Sequence, residues 1–425
     1  MFLSAAELLA AGPEVLRSRT LSARPESFRL AAQKGEKLRL RLFDDVDLTA
    51  VAEKVESDPL NGFVWRGRIE ADEGLAVFVV DDDCIVGTVM VSASVYRVRC
   101  LGSGLHAIDE MTVSTSEGVD YVLPPLSAGS AAASDPYLEL GSVTFDTLAA
   151  ASAPTEIDLL VFYTRRSVKR LARQAGTSSR SSKRAMVAQI RLAVAVANAS
   201  LENSDVDIRL RLVKARQVGF RASGTSGWDL SRIYDPDDGV LDRVHQWRDR
   251  FGADVVTAVL DDFEPDRAGL GYLVTPRHDD AASLMFNVVR YDRLWWITLA
   301  HEVGHNLGLA HDRDNDITTA GGRAFSFSRG FRDRRAGFHT VMSYSRGCPE
   351  CRWAIPHYSN PRVDWSGAPS GSEQLDKGCG DGVTTGPKCG RRTGSNRADN
   401  ARSLNETREF YASVRACRID CVPGE

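Results

Sequence analysis

The sequence predicts an α+β protein, with a β-rich region first and a larger, α/β-layered region after it. Three observations carry this expectation. The first 125 residues hold short runs of alternating apolar and polar residues separated by Gly, Asp and Ser, the period of half-buried strands. From Ile157 onward, apolar runs alternate with stretches of helical spacing, the pattern of a mixed, twisted sheet covered by long helices. Between them, residues 126–155 are rich in Ala, Ser and Gly (LSAGSAAASDPY, then LAAASAPT), the composition of a linker. The chain thus divides into a β-rich module over 1–125, a linker over 126–155 and a larger domain over 156–425.

In the module, residues 37–43 (KLRLRLF) alternate most clearly, and 63–69 (FVWRGRI), 75–80, 84–91 and 95–100 continue the pattern. An antiparallel sheet or small barrel is expected. The larger domain opens with 157–163 (IDLLVFY), a continuous apolar run suited to a buried strand. A helix follows over 183–201, with Val187, Ile190, Val194, Ala197 and Leu201 on one face. Next come a strand at 208–213, a helix around 241–247, and strands at 254–260 and 284–289. A further helix is expected from near Arg293, and a last amphipathic one through Ala401, Leu404, Arg408, Tyr411 and Val414.

Composition excludes several classes. Hydrophobic residues make up 43% and charged residues 26% of 425 residues, ordinary for a globular chain of two or three domains and unlike a disordered one. No apolar run approaches the ~18–20 residues that span a bilayer. Lys plus Arg number 53 and Asp plus Glu 57, a net charge of -4, which gives no support to nucleic acid as a partner. Of eight cysteines, Cys84 and Cys100 lie early and Cys348, Cys351, Cys379, Cys389, Cys417 and Cys421 lie in the last fifth. Such a cluster suggests disulfides and an oxidising, extracellular location. Residues 1–11 lack a basic leader and a clear small-residue cleavage site, so a trimmed start is expected.

The chemistry concentrates in residues 301–312, HEVGHNLGLAHD. His301 and His305 are four apart, so on a helix they share a face about 6 Å apart along the axis and both reach one Zn²⁺. Glu302 lies on the adjacent side, within reach of a water held by that ion. Gly308 can take positive φ, end the helix and return the chain so that His311 supplies a third nitrogen. Three protein ligands leave a coordination position open, the mark of a catalytic zinc site. Such an ion lowers the pKa of water from 15.7 to about 7 and polarises a carbonyl, with Glu302 moving the proton. Peptide-bond hydrolysis without a covalent intermediate is the expected reaction.

This motif resembles HExxHxxGxxHD of the metzincin metalloendopeptidases. Downstream, TVMSY at 340–344 looks like the Met-turn of that clan. The resemblance implies a metzincin-like catalytic domain, Met342 as a hydrophobic floor beneath the zinc ligands, and Tyr344 as a group that assists at the metal. More narrowly, FVWRGRIE, IDLLVFYT, the zinc motif and TVMSYSRGCPECRWAIPHYSNP look like bacterial peptidyl-Asp metalloendopeptidases. That resemblance implies a secreted zymogen that cuts on the amino side of Asp, and also Glu. The β-rich module would be a propeptide acting as an intramolecular inhibitor, and the linker its processing region, with the bonds before Asp135 and Asp146 as self-cleavage points. Metzincin walls just after the Met-turn shape the specificity pocket, which makes Arg352 and then Arg346 the candidates for gripping an acidic side chain. Peptides or proteins would be the substrates. A non-catalytic binding protein on the same scaffold, or a zinc hydrolase of non-peptide amides, are the alternatives.

Other residues leave readings open. Cys84 and Cys100 could form a cross-strand disulfide, stay as buried thiols, or, as Cys100, supply a thiolate that caps the zinc of a zymogen. Cys348 and Cys351 could pair as disulfides or join Cys379 and Cys389 in a second zinc site. Asp312, Asp314 and Asp316 could touch calcium, with a solvated loop the favoured reading. His106, His245, His278, His339 and His357 have no ligand spacing and read as structural or exposed.

Overall fold

The computed structural model describes residues 14–112 apart from 24, 31–34, 59–61, 71, 83 and 92–93, then 121–123, 153–318 apart from 178, 322–373 and 397–415. Most of the linker, Asp135, Asp146, Cys379, Cys389, Cys417 and Cys421 lie outside the described residues.

The β-rich module is one eight-stranded antiparallel sheet. Its strands are β1 (Val15–Ser22), β2 (Lys37–Phe43), β3 (Val46–Asp58), β4 (Gly62–Ile69), β5 (Leu75–Asp81), β6 (Cys84–Val91), β7 (Ser94–Gly102) and β8 (Leu105–Met111), with a short helix α1 (Pro25–Leu30) after β1. The order is β1-β8-β7-β6-β5-β4-β3-β2. The sheet curls until its two ends meet through side chains. Arg17 of β1 binds Asp45 of the β2–β3 turn at 2.8 Å, and the Arg19 guanidinium donates to the Arg41 carbonyl. β2 buries Leu38, Leu40 and Leu42 and exposes the residues between them, as its alternation requires.

Strands β1, β3 and β8 were not among the sequence expectations. For β8 the reason is physical: LHAIDEM is buried on both faces and carries a buried charge. The Asp109 carboxylate takes Arg97 at 2.8 Å, Arg99 at 2.6 Å and the Ser18 hydroxyl at 2.6 Å. Burial works to raise its pKa, but the two guanidinium groups overcome that and hold it well below the usual carboxylate range. Cys84 and Cys100 form a disulfide with Cα atoms 5.3 Å apart. The β6–β7 register runs from Val91↔Ser94 to Gly87↔Val98. That leaves the two cysteines one residue out of step rather than directly opposite.

The larger domain is built on a six-stranded mixed sheet of order β11-β10-β12-β14-β13-β9. Its strands are β9 (Tyr121–Val122), β10 (Thr155–Thr164), β11 (Ile208–Val218), β12 (Val255–Leu260), β13 (Gly269–Tyr272) and β14 (Phe286–Arg290). β10, β11, β12 and β14 are mutually parallel, and β13 runs antiparallel to β14. The helices are α2 (Arg165–Ala175), α3 (Ser179–Glu202), α4 (Ser226–Tyr234), α5 (Arg243–Phe251), α6 (Thr298–Asn306) and α7 (Asn400–Ala412), with a single turn at Ala281–Leu284. Only α3, with 24 residues, is long; among the described residues the next is α7, with 13.

α3 is apolar and long enough to cross a membrane by composition alone, which the sequence expectation did not include. It packs instead between the two sheets, on β11 from one side and on β5, β6 and β7 from the other. A helix that is hydrophobic all round fits that position. The apolar run Leu294, Trp295, Trp296 and Ile297 is a buried turn rather than the start of a helix, and α6 begins only at Thr298. The Trp295 indole donates to the Asp292 carbonyl at 2.8 Å, which turns the chain there.

Candidate metal centre

α6 carries His301, Glu302 and His305, and all nine of its residues are buried. It packs on β13, β14 and α3. Asn306, its last residue, fixes it to the sheet. The Asn306 amide donates to the Tyr272 carbonyl at 2.9 Å and to the Phe286 carbonyl at 3.0 Å, and accepts from Asn287 at 2.8 Å. Just past it, Gly308 takes φ +80°, and the Leu309 amide returns to the Gly304 carbonyl at 3.0 Å. A Cβ at Gly308 would stand 2.7 Å from the Tyr411 hydroxyl and 2.9 Å from Ala324. The turn needs glycine for both conformation and space.

That turn brings His311 back as the motif predicts. The candidate ligand atoms of His301, His305 and His311 lie within 4.8 Å of one another. Nε2 of His301 is 3.1 Å from Nε2 of His311. Nδ1 of His301 lies 2.5 Å from the Val341 carbonyl and Nδ1 of His305 lies 2.8 Å from the Leu309 carbonyl. A carbonyl only accepts, so each Nδ1 carries the proton and each Nε2 lone pair is left for the centre. Neutral imidazoles aimed this way fit a zinc ion.

Met342 is fully buried, and its Sδ lies 2.5 Å from where a Cβ at Gly304 would be. Gly304 thus gives the sulfur room beneath the turn of helix that joins His301 to His305. The Tyr344 hydroxyl lies 3.3 Å from His301 Nε2 and 3.0 Å from His311 Nε2. Asp312 ties this turn to the motif. Its amide donates to the Met342 carbonyl at 3.1 Å and its carboxylate accepts from the Tyr344 amide at 3.3 Å. Burial pushes the Asp312 carboxyl up against the pull of Arg332, whose Nε is 3.2 Å away.

Glu302 is 1% exposed and lies against β13. A Cβ at Gly269 would meet its Oε1 at 2.3 Å, and one at Gly271 would meet Oε2 at 3.3 Å. The two glycines of GLGY therefore make the floor on which the carboxylate rests. Sequence reasoning missed this role, and also that of Asn306. The paired glycines in a strand were the available signal, since such glycines often mark close approach.

The acidic run is solvated only at Asp314, which is exposed. Asp312 and Asp316 are buried. Asp316 binds Arg323 at 2.8 Å and Arg329 at 3.1 Å, while Asp314 pairs with Arg332. The arginines folding back from the following segment account for the burial. Arg346 and Arg352, the candidates for acidic recognition, are exposed and make no ion pair with a described residue. Both sit on the stretch after the Met-turn, with Arg352 donating to the Pro349 carbonyl at 3.1 Å.

Of the remaining histidines, His106, His245, His278 and His339 bond to backbone, while the His357 ring packs edge-on against Trp365, 5.3 Å centre to centre. His106 accepts from the Ile85 amide at 2.9 Å, and His245 and His339 lie 3.1 and 2.8 Å from the carbonyls of Ile233 and Cys351. Cys348 and Cys351 are bonded to each other. Because Cys84 and Cys100 are also bonded, neither thiol is open to cap a metal.

Residues 164–374 match metallo-peptidase family M12B, reprolysin-like. The chain is 26% identical to a peptidyl-Asp metalloendopeptidase of Xanthomonas campestris pv. campestris over 80% of its own length and 78% of that protein. It is 28% identical to a peptidyl-Asp metalloendopeptidase of Stenotrophomonas maltophilia over 76% of its length and 75% of that protein. Among solved structures it is similar to metalloproteinase-II from Bacteroides fragilis, at 12% identity and a TM-score of 0.42, covering 72% of this chain and 90% of that one.

Proposed function

We propose that this chain, a metalloendopeptidase with a reprolysin-like M12B domain, is a secreted zymogen whose zinc-dependent activity cuts peptide bonds on the amino side of Asp, and also Glu. One observation carries the catalytic reading: the nitrogens of His301, His305 and His311 converge within 4.8 Å of one another, beside the buried carboxylate of Glu302. The three Nε2 atoms would hold zinc. When bound, zinc supplies Lewis acidity toward water and the substrate carbonyl. The side of β13 opposite β14, once Tyr121–Val122 leave it, receives the substrate backbone as an added strand. Glu302 takes a proton from the attacking water onto its carboxylate and returns it to the leaving amine. The Tyr344 hydroxyl donates a hydrogen bond to the carbonyl oxygen as charge gathers there.

The Asp preference is supported by the names of the related enzymes and by the exposed guanidinium groups of Arg346 and Arg352 beyond the Met-turn. Secretion is supported by the two disulfides. The test is mass spectrometry of peptide-library products, with and without a zinc chelator, on the wild type and on Glu302→Ala. New amino termini should be Asp or Glu, and chelator or the substitution should abolish them while Glu302→Ala still holds zinc. Chelator-insensitive cleavage, or normal cleavage by Glu302→Ala, would refute the mechanism; unselective termini would refute the preference.

A further inference from the structure

We propose that Tyr121 is a phenol latch, which keeps the uncleaved chain inactive by filling a built slot beside the zinc-binding histidines. The inference rests on the metallopeptidase reading of that site and names its regulation. β9 lies on the side of β13 opposite β14, which is the side a substrate strand would need. It pairs parallel to β13 as Gly271↔Tyr121 and Tyr272↔Val122, and the Leu273 amide donates to the Val122 carbonyl at 3.0 Å. A sheet edge is a template for whichever strand reaches it first, so this segment and a substrate exclude one another.

The side chain makes the contact specific. The Tyr121 ring sits 4.9 Å from the His305 ring and 4.8 Å from the His311 ring, centre to centre. Its hydroxyl donates to Asp316 Oδ1 at 3.3 Å and accepts from the Ile317 amide at 3.0 Å. Asp316 is held rigid, with Arg323 and Arg329 on its other oxygen. Tyr121 is 4% exposed and Asp316 4%. A phenol satisfies this slot with one donor and one acceptor bond, whereas a phenylalanine would leave the amide and carboxylate without those bonds. The latch is an aromatic cap hydrogen-bonded to a fixed carboxylate, and the Cys84 and Cys100 thiols, bonded to each other, take no part in it.

The experiment uses the full chain. In a Glu302→Ala background, which prevents self-processing, the rate of zinc removal by 1,10-phenanthroline reports access to the site. Tyr121→Phe should speed it about tenfold and Tyr121→Ala by more, on the scale of a lost charge-assisted hydrogen bond. With Glu302 intact, initial cleavage by the uncut chain should rise in the same order. Acetyl-Tyr-Val-amide should inhibit the processed enzyme at least about tenfold better than acetyl-Phe-Val-amide. If processed wild type cleaves and binds zinc but Tyr121→Ala leaves both the stripping rate and the latency of the uncut chain unchanged, the latch is wrong. If no form binds zinc or cleaves, the metallopeptidase reading itself fails.

Discussion

Gly269→Ala would displace Glu302, the proposed general base, while leaving the three proposed zinc ligands alone. The added Cβ would stand 2.3 Å from Glu302 Oε1, 2.6 Å from Cδ and 2.7 Å from Cγ. Ordinary contact begins at 3.4 Å, so the carboxylate must retreat by about 1.1 Å, the difference between 3.4 and 2.3. A misplacement of about 1 Å can cost roughly 10²-fold in rate, or about 2.7 kcal/mol on the barrier. The backbone tolerates alanine here, since Gly269 is not at positive φ and alanine costs a strand less entropy than glycine. The assay is kcat/KM on an Asp-containing peptide beside zinc content by metal analysis. Gly219→Ala is the control, since its Cβ would meet nothing within 4 Å. The expected result is full zinc content with a drop of roughly 10²-fold in kcat/KM. Wild-type kcat/KM would refute the claim that β13 positions Glu302. Zinc loss in parallel with activity would show the clash reaching the histidines instead.

Further outcomes follow from the same geometry. Gly308→Ala forces a non-glycine residue to φ +80° and crowds Tyr411, so stability should fall by about 1–3 kcal/mol and zinc affinity at least about tenfold as His311 shifts; unchanged affinity in a competition titration would contradict the turn's role. Tyr344→Phe should lower kcat by roughly 10²-fold with zinc content unaltered, and an unchanged kcat would remove Tyr344 from the reaction. His357 is buried, and desolvation lowers its pKa from 6.5 to about 4. The folded state therefore disfavours its proton. Its contribution is intact above pH 6.5 and is lost as pH falls toward 4, by on the order of 3 kcal/mol. Urea unfolding of wild type and His357→Phe across that range should show the steeper acid loss in wild type, and parallel curves would refute it.

What could be read from the sequence was what is local. His301, His305 and Gly308 lie within one stretch of chain, so helical spacing and one positive φ suffice to predict His311's return. β2 was legible because its faces see different surroundings. β8 was not, because Asp109 is buried by arginines from the neighbouring strand, and no pattern within LHAIDEM announces that. The same holds for the site. Glu302 is identified by its motif, but its floor is Gly269, far back in the chain, and Tyr121 touches His305 and His311 only because a strand joins the sheet edge from still further away. The run 294–297 misled for a different reason: buried tryptophans look alike in a helix and in a packed turn.

The join between the two sheets decides what processing can release. Charged pairs cross it: Glu56–Arg209 at 3.1 Å, Lys54–Glu202 and Arg66–Glu202 at 2.6 Å, and Asp82–Arg184 at 2.6 Å. Partly exposed pairs contribute about 0–1 kcal/mol each and are screened at high salt. Beneath them, Leu75, Val77, Val79, Val86, Met90 and Val95 belong to the same apolar cluster as α3 and β10. Re-exposing six such side chains costs on the order of 10 kcal/mol, more than the ion pairs together supply. Cutting the chain between 126 and 152 should therefore leave the β-rich module in place. The nicked protein should elute as one species on gel filtration even in 1 M NaCl, and separate only in urea. Release by salt alone would show that charge, not the apolar face of α3, holds the join. If the module stays, activation has to act on the short strand at β13, since removing Tyr121–Val122 from the edge uncovers the cleft without breaking the larger contact.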